Sequence, residues 1–217
     1  MSWVLPPLIL IYLLQPTLGF TEASSQLFSE QGYRIAKYRR PLPQQPPAGK
    51  RIDTQALADL IDEIEPLLVD VLAITLRPES AQFGLSWLPA TQRQHIPGSI
   101  WLPNVGYGDL EPCMWAWFER TLYHYTGGDK DKPMVFYCVT DCWMSWNAVK
   151  RASALGYRNL YWYPEGSDGW AAAGLPLDVA KPLPLPGMED GVRDTLFECP
   201  ANNLNAALKR SEEEQQQ

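Results

Sequence analysis

The chain has 217 residues, 46% of them hydrophobic, and a formal net charge of −7 at pH 7. This length supports one substantial buried core, and a single domain fits it better than two. Since no basic cluster exceeds the pair Arg39-Arg40, the composition excludes nucleic acids and anionic lipid surfaces as expected partners.

Residues 1–19 are typical of a signal peptide. An apolar stretch at 4–14 is followed by a break and by small residues at Thr17 and Gly19, the positions that a signal peptidase reads. A membrane span needs about 20 uninterrupted apolar residues, and prolines interrupt this stretch. We therefore expect export, cleavage near Gly19, and no stable membrane insertion afterwards.

Residues 20–50 form a polar, proline-rich N-terminal arm. Its prolines exclude helix and central strand and favour an extended run over the surface. Tyr33, Ile35 and Tyr38 interleave with basic residues, so the arm is either a spacer or a segment that packs onto the domain.

Strands and helices alternate through residues 51–180. Asp53 or Thr54 can cap a helix that Pro66 closes, and its apolar residues recur at helical spacing: Leu57, Leu60, Ile61 and Ile64. Residues 67–72 then indicate a buried strand, 73–95 a long loop over one rim, and 95–103 a turn that leads into a short strand. A helix from Pro112 stops at Gly127-Gly128.

The second half of the domain continues the alternation. A strand is expected at 134–137, a helix up to Gly156, a strand at 160–162 and a short helical turn at 165–170. Such alternation predicts an α/β domain with a parallel central sheet and helices on both faces. Beyond this domain, 181–217 lacks the apolar content to order itself, which predicts a flexible tail.

The loop between the strand at 134–137 and the following helix carries the candidate chemistry. Cys138 opens this loop, where successive backbone N–H groups and the positive end of a helix favour a thiolate. Cys138 is the candidate nucleophile, and Cys142, four positions on, is the candidate resolving thiol. The remaining loop residues, which we expect to shape the pocket, are Val139, Thr140, Asp141 and Trp143.

The other cysteines suggest oxidation rather than metal binding. A zinc site usually has two close pairs of ligands, and this chain has one. After export, Cys113 and Cys199 could close a long disulfide loop, although a free buried thiol at Cys113 is equally consistent with the sequence. No cofactor is expected, because the chain offers no calcium-like cluster of carboxylates.

Several motifs, in order, resemble the rhodanese-like superfamily. They are Val69-Asp70-Val71, the turn His95-Ile96-Pro97-Gly98-Ser99-Ile100, the loop opened by Cys138, and Gly169-Trp170 with Gly174-Leu175-Pro176. The resemblance covers roughly residues 50–180. It implies a single rhodanese-like α/β domain, possible sulfurtransferase activity, and a structural hydrogen bond rather than a catalytic base at His95.

Two segments are similar to a narrower group, the exported CXXCW-motif proteins associated with PQQ-dependent catabolism of alcohols. These segments run through 136–147 and 161–166, and the amino-terminal Gly32-Tyr33-Arg34 and Tyr38-Arg39 also resemble this group. This resemblance implies a periplasmic setting beside a quinoprotein dehydrogenase or a cytochrome partner. The loop departs from common sulfurtransferases because it has no Arg or Lys, and Asp141 would repel a dianion such as thiosulfate.

Three functions follow as hypotheses. The first is persulfide transfer on Cys138, with a small thiol or persulfide as substrate. The second is thiol–disulfide exchange between Cys138 and Cys142. The third is a non-catalytic docking module, in which Trp143 and Trp146 anchor an apolar interface with the dehydrogenase or cytochrome.

Overall fold

The structure is a computed structural model that describes residues 27–77, 82, 85–88, 92–185 and 188. The expected signal peptide, Cys199 and nearly all of the expected tail lie outside these residues. None of the described helices has the length and apolar character needed to cross a membrane.

A parallel sheet forms the centre of the fold. Its order is β1 (Lys50–Arg51), β8 (Leu160–Tyr163), β7 (Met134–Tyr137), β2 (Leu67–Asp70) and β6 (Ile100–Trp101), and every neighbouring pair is parallel. In register, Asp70 lies opposite both Tyr137 and Trp101. The carboxyl ends of β2, β6 and β7 therefore meet at one edge, where open α/β sheets place their sites.

Helices cover both faces of the sheet, as predicted. They are α1 (Thr54–Ile64), α2 (Pro112–Thr126), α3 (Trp143–Ala154) and α4 (Gly166–Ala172). Residues of α2 and α3 pack with Val69 and Phe136, whereas residues of α1 and α4 pack with Leu68 and Val135. Because successive strand residues point to opposite faces, a strand that is buried on both faces has a continuous run of apolar residues in the sequence.

Of the two predicted caps of α1, Asp53 and Thr54, the structure has Asp53. The Asp53 carboxylate accepts a hydrogen bond of 2.9 Å from the backbone N–H of Ala56. This bond satisfies one of the N–H groups that a helix start leaves without a partner.

Replacing this cap should weaken the fold measurably. We expect Asp53→Ala to lower the free energy of unfolding by about 1 kcal/mol, as measured by urea denaturation. Asp62→Ala, on the same helix but away from its start, is the matched control, and its free energy of unfolding should not fall. Equal losses in the two variants would mean that the cap has no specific effect.

The segment expected to be one long loop contains short strands. β3 (Thr75–Arg77) pairs antiparallel with β4 (Ser86–Leu88), and β5 (Gln94–His95) pairs antiparallel with β9 (Asp178–Val179). These strands are two or three residues long, too short for a periodic sequence signal.

The ordered domain extends beyond residue 180, where the sequence predicts a flexible tail. Pro182 bridges to Trp101 in parallel, and Leu183 donates a backbone hydrogen bond of 2.9 Å to Trp101. Leu185 is fully buried. The alternating Leu and Pro residues suit an extended segment at a sheet edge. Pro has no backbone N–H to donate, and at an edge no neighbouring strand requires that hydrogen bond.

The N-terminal arm packs onto the domain instead of acting as a spacer. Asn147 of α3 accepts a hydrogen bond of 2.9 Å from the Arg34 backbone N–H and donates one of 2.8 Å to the Arg34 carbonyl. The Tyr38 ring is buried, and its hydroxyl accepts a hydrogen bond of 3.0 Å from Gly108. The arm therefore lies across the amino-terminal half of α3.

Candidate functional site

The cysteine loop joins the carboxyl end of β7 to the start of α3. Cys138 follows β7 directly, and Cys142 is the residue before the first helical residue of α3. Their side chains form a disulfide with a Cα–Cα distance of 6.1 Å. The structure thus brings together the two sulfurs that the sequence singles out.

The state of these sulfurs differs from the expected accessible thiolate. Cys138 is 0% exposed and Cys142 is 1% exposed, and a disulfide sulfur is neither nucleophilic nor titratable. Two loop N–H groups also point away from the sulfurs: Thr140 donates to the Asp168 carboxylate at 3.2 Å, and Trp143 donates to the Tyr38 carbonyl at 2.9 Å. The loop is therefore closed and oxidised, and a reactive thiol requires reduction first.

The start of α4 holds one side of the loop. Ser167 donates a backbone hydrogen bond of 3.0 Å to the Cys138 carbonyl, and the Thr140 hydroxyl donates one of 2.9 Å to the Glu165 carbonyl. Gly166 has a φ of +62°, and a Cβ there would lie 2.6 Å from the Cys138 carbonyl oxygen. Only glycine permits this close approach.

The N-terminal arm holds the other side of the loop. Arg40 donates a backbone hydrogen bond of 3.1 Å to the Asp141 carbonyl, and Arg39 forms an antiparallel bridge with Cys142. Asp141 itself has a φ of 56°, in the left-handed region that Asp tolerates better than most side chains. The loop is therefore fixed by the main chain on both sides.

The predicted pocket residues separate in the structure. Val139 lines a cleft of about 480 Å³ at the carboxyl edge of the sheet. Thr140 and Asp141 are exposed outside the cleft lining. Trp143 is only 7% exposed, with the Arg34 guanidinium 4.8 Å above its ring. Of these four residues, Val139 is the one that lines this cleft.

Arg93 supplies the cleft with a cation that the sequence analysis missed. Its guanidinium forms an ion pair with the buried carboxylate of Asp70, donates to the Ser167 hydroxyl at 3.4 Å and lies 5.0 Å above the Trp101 ring. Burial is the main cause that lowers the pKa of Arg93 to about 10, so the group stays charged at neutral pH. Arg93 and Asp70 are 23 residues apart in the chain, and no local pattern connects them.

Residues 53–173 match the model of the rhodanese-like domain family. The chain belongs to this family. No curated protein sequence matches the chain significantly.

Solved structures of sulfur-transferring enzymes and of a rhodanese-like domain are similar to this rhodanese-like chain. A thiosulfate sulfurtransferase from Pseudomonas aeruginosa is 20% identical with a TM-score of 0.42, over 84% of this chain and 31% of the other. A 3-mercaptopyruvate sulfotransferase from Escherichia coli is 18% identical with a TM-score of 0.41, and the match covers 64% of this chain and 55% of the other. A rhodanese-like domain from Anabaena sp. is 16% identical with a TM-score of 0.39, and the match covers 67% of this chain and 81% of the other. At these values the likeness carries no argument about function.

His95 of this rhodanese-like domain is buried beside Asp70. Its Nδ1 lies 3.6 Å from the Asp70 carboxylate and has no hydrogen-bond partner, so the expected hydrogen bond is not formed at that atom. Burial, followed by the positive charge of Arg93, lowers the pKa of His95. The turn is held instead by Tyr137, whose hydroxyl donates to Ser99 at 2.7 Å and accepts from the Ile96 N–H at 3.2 Å.

The lowered pKa of His95 predicts a loss of stability in mild acid. The unfolded chain takes up a proton at His95 near the ordinary pKa of about 6.5, while the folded chain resists it. Stability from this group is therefore present above pH 6.5 and declines as pH falls through 6.5 toward the folded value. We expect His95→Gln to show a flatter fall in Tm between pH 7.5 and 5.5 than the parent, and equal slopes would contradict this.

The remaining cysteine expectations are partly tested. Cys113 is disulfide-bonded, so the free-thiol alternative is wrong, while Cys199 lies outside the described residues. Within the described part of the chain, no group of three His, Cys, Asp or Glu side chains is placed to hold a metal ion.

Proposed function

We propose that this rhodanese-like protein transfers sulfane sulfur on Cys138 and that Cys142 releases the sulfur as sulfide. The observation that carries the proposal is the disulfide between these two residues. Because the two sulfurs are close enough to form a disulfide, the Cys142 thiolate can also reach a persulfide on Cys138. Attack on that persulfide forms the same disulfide and releases the outer sulfur. The disulfide is then the oxidised state at the end of one turn.

The proposed cycle has three balanced steps. The reduced Cys138 thiolate attacks the outer sulfur of a persulfide R–S–SH, which gives the Cys138 persulfide and the thiol R–SH. The Cys142 thiolate then attacks the inner sulfur of Cys138, forms the disulfide and expels HS⁻. A dithiol reductant finally restores both thiols and is itself oxidised to a disulfide.

The charges around the loop favour a small thiol persulfide over thiosulfate as donor. Asp141 lies within the loop and Asp168 accepts a hydrogen bond from it, so a dianion would face two carboxylates. Arg93 offers no compensation, because Asp70 already pairs with its charge. A persulfide with one negative charge or none avoids most of this repulsion.

The cellular setting is part of the same proposal. An exported, periplasmic protein that acts beside PQQ-dependent alcohol catabolism fits the signal-like segment at 1–19 and the resemblance of segments 136–147 and 161–166 to the CXXCW-motif group, although three residues rather than two separate Cys138 from Cys142 here. The partner would be a quinoprotein dehydrogenase or its cytochrome. Co-purification of that dehydrogenase or cytochrome with the tagged protein from a periplasmic extract tests this part.

Sulfide release tests the chemistry. The mature protein is reduced fully, freed of reductant and mixed with cysteine persulfide, and sulfide is measured against a sample that was left oxidised. We expect one equivalent of sulfide per reduced protein and none above background from the oxidised sample. Release that is the same in both samples would overturn the proposal.

Two alternatives share parts of this evidence. Thiol–disulfide exchange is favoured by the same disulfide, and it predicts reduction of a substrate disulfide with no sulfide formed. A docking module is favoured by the complete burial of both sulfurs, which is typical of a structural disulfide. In the docking module, Trp143 is too buried to be a surface anchor, and partner binding should survive replacement of both cysteines by serine.

A further inference from the structure

We propose that the N-terminal arm is a strap over the disulfide and that this strap must lift before a reductant can reach the sulfurs. The inference rests on the proposed function, whose cycle requires the disulfide to be reduced once in every turn. It adds a gate to that cycle, formed by the segment around Tyr38, Arg39 and Arg40.

The first step of the argument is access. A thiolate must reach one sulfur of the disulfide directly, but Cys138 and Cys142 are almost wholly buried. Some segment therefore has to move whenever the disulfide is reduced in the folded protein.

The second step is which segment can move. The sheet and α3 form the core around the sulfurs, and Phe136 and Ala148 are fully buried in it. On the cleft side, the start of α4 binds the Cys138 carbonyl through Ser167. The part of the arm at 27–49, by contrast, belongs to neither the central sheet nor a helix and can be displaced without breaking either.

The third step is how the arm is held at the loop. The loop contacts are main-chain bonds at Arg40 and Trp143 and the bridge between Arg39 and Cys142. The Arg34 guanidinium stacks on aromatic rings, 4.8 Å from Trp143 and 5.2 Å from Phe28, and burial lowers the pKa of Arg34. Lifting this segment breaks a few hydrogen bonds and uncovers Tyr38, which is 5% exposed. Opening the core would in addition disrupt the sheet and α3, so the segment opens at a smaller cost than the core.

The test uses a matched pair of substitutions at one exposed position. Arg40→Pro removes the N–H that donates to Asp141, while Arg40→Ala keeps that N–H and removes the same charge. The rate of disulfide reduction by dithiothreitol is followed by alkylation and peptide mass spectrometry, which separates Cys138 and Cys142 from the disulfide at Cys113. We expect reduction about fivefold faster in Arg40→Pro, from the loss of one hydrogen bond, and parental in Arg40→Ala.

A second measurement separates local opening from global unfolding. Hydrogen exchange of the Arg40 and Trp143 amides should be faster than exchange of the Val135 and Phe136 amides in β7. Two results would contradict the proposal. One is exchange of the Arg40 and Trp143 amides that is as slow as exchange of the β7 amides, and the other is an equal rate of disulfide reduction in both variants and the parent. Because no sulfur donor is used, the result is independent of whether the protein releases sulfide.

Discussion

Replacement of Cys138 by serine should abolish sulfide release from a persulfide donor. A serine hydroxyl stays protonated at neutral pH and cannot accept sulfane sulfur, so the first step of the proposed cycle is lost. We expect the rate to fall by ~10³-fold or more, as when an enzyme nucleophile is removed. Single-turnover release of sulfide from the pre-reduced protein measures the effect.

The Cys142→Ser variant distinguishes a resolving thiol from a bystander. This variant keeps Cys138 and should still accept sulfur, but it should stop at the persulfide. We expect intact-mass analysis to find one added sulfur atom on the protein, and sulfide to appear only after an external thiol is supplied. If Cys142→Ser released sulfide at the parental rate without added thiol, Cys142 would have no part in the cycle.

Replacement of Arg93 by methionine should cause a large loss of stability. Asp70 is fully buried, and removal of Arg93 leaves its carboxylate without the cation that pairs with it. Breaking a buried pair on one side typically costs 3–5 kcal/mol, about 3 kcal/mol being expected here. Urea denaturation at pH 7.5 measures the change in the free energy of unfolding.

Two controls identify the cause of this loss. The double variant Asp70→Asn with Arg93→Met removes both charges and should recover much of the lost stability. Arg158→Met breaks the exposed pair with Asp131 and should have no measurable effect. A double variant that is no more stable than Arg93→Met would show that packing, rather than the unpaired carboxylate, causes the loss.

The same substitution should also change His95. The charge of Arg93 contributes to the lowered pKa of this imidazole, and Arg93→Met removes that repulsion. We expect the pKa of His95, measured by NMR titration, to rise in the variant. An unchanged value would mean that the charge of Arg93 has no effect on the pKa of His95.

Local chemistry made much of the fold predictable. Asp53 marked the start of α1, and Gly127, with a φ of 63°, ends α2 as its position after the last apolar residue indicated. Apolar runs located β2 and β7 because strands buried on both faces carry few polar residues. These signals lie within a few residues of the feature they predict.

The unpredicted features depend on contacts between distant parts of the chain. Arg93 meets Asp70 only after the segment at 73–95 folds over the rim, and Leu183 joins Trp101 at a sheet edge that no local pattern marks. The spacing of Cys138 and Cys142 made a disulfide a hypothesis, since geometry cannot be read from spacing. The packing of the arm against the loop, through Arg40 and Asp141, was left undecided by the sequence.

The contact between Arg34 and Asn147 has a consequence for the order of folding. The two residues are 113 positions apart, and contacts of such long range are slow to form because a long loop must close first. The cysteine loop, in contrast, joins two elements that are neighbours in the chain, β7 and α3. The first oxidation of Cys138 and Cys142 can therefore occur before the arm closes over the loop.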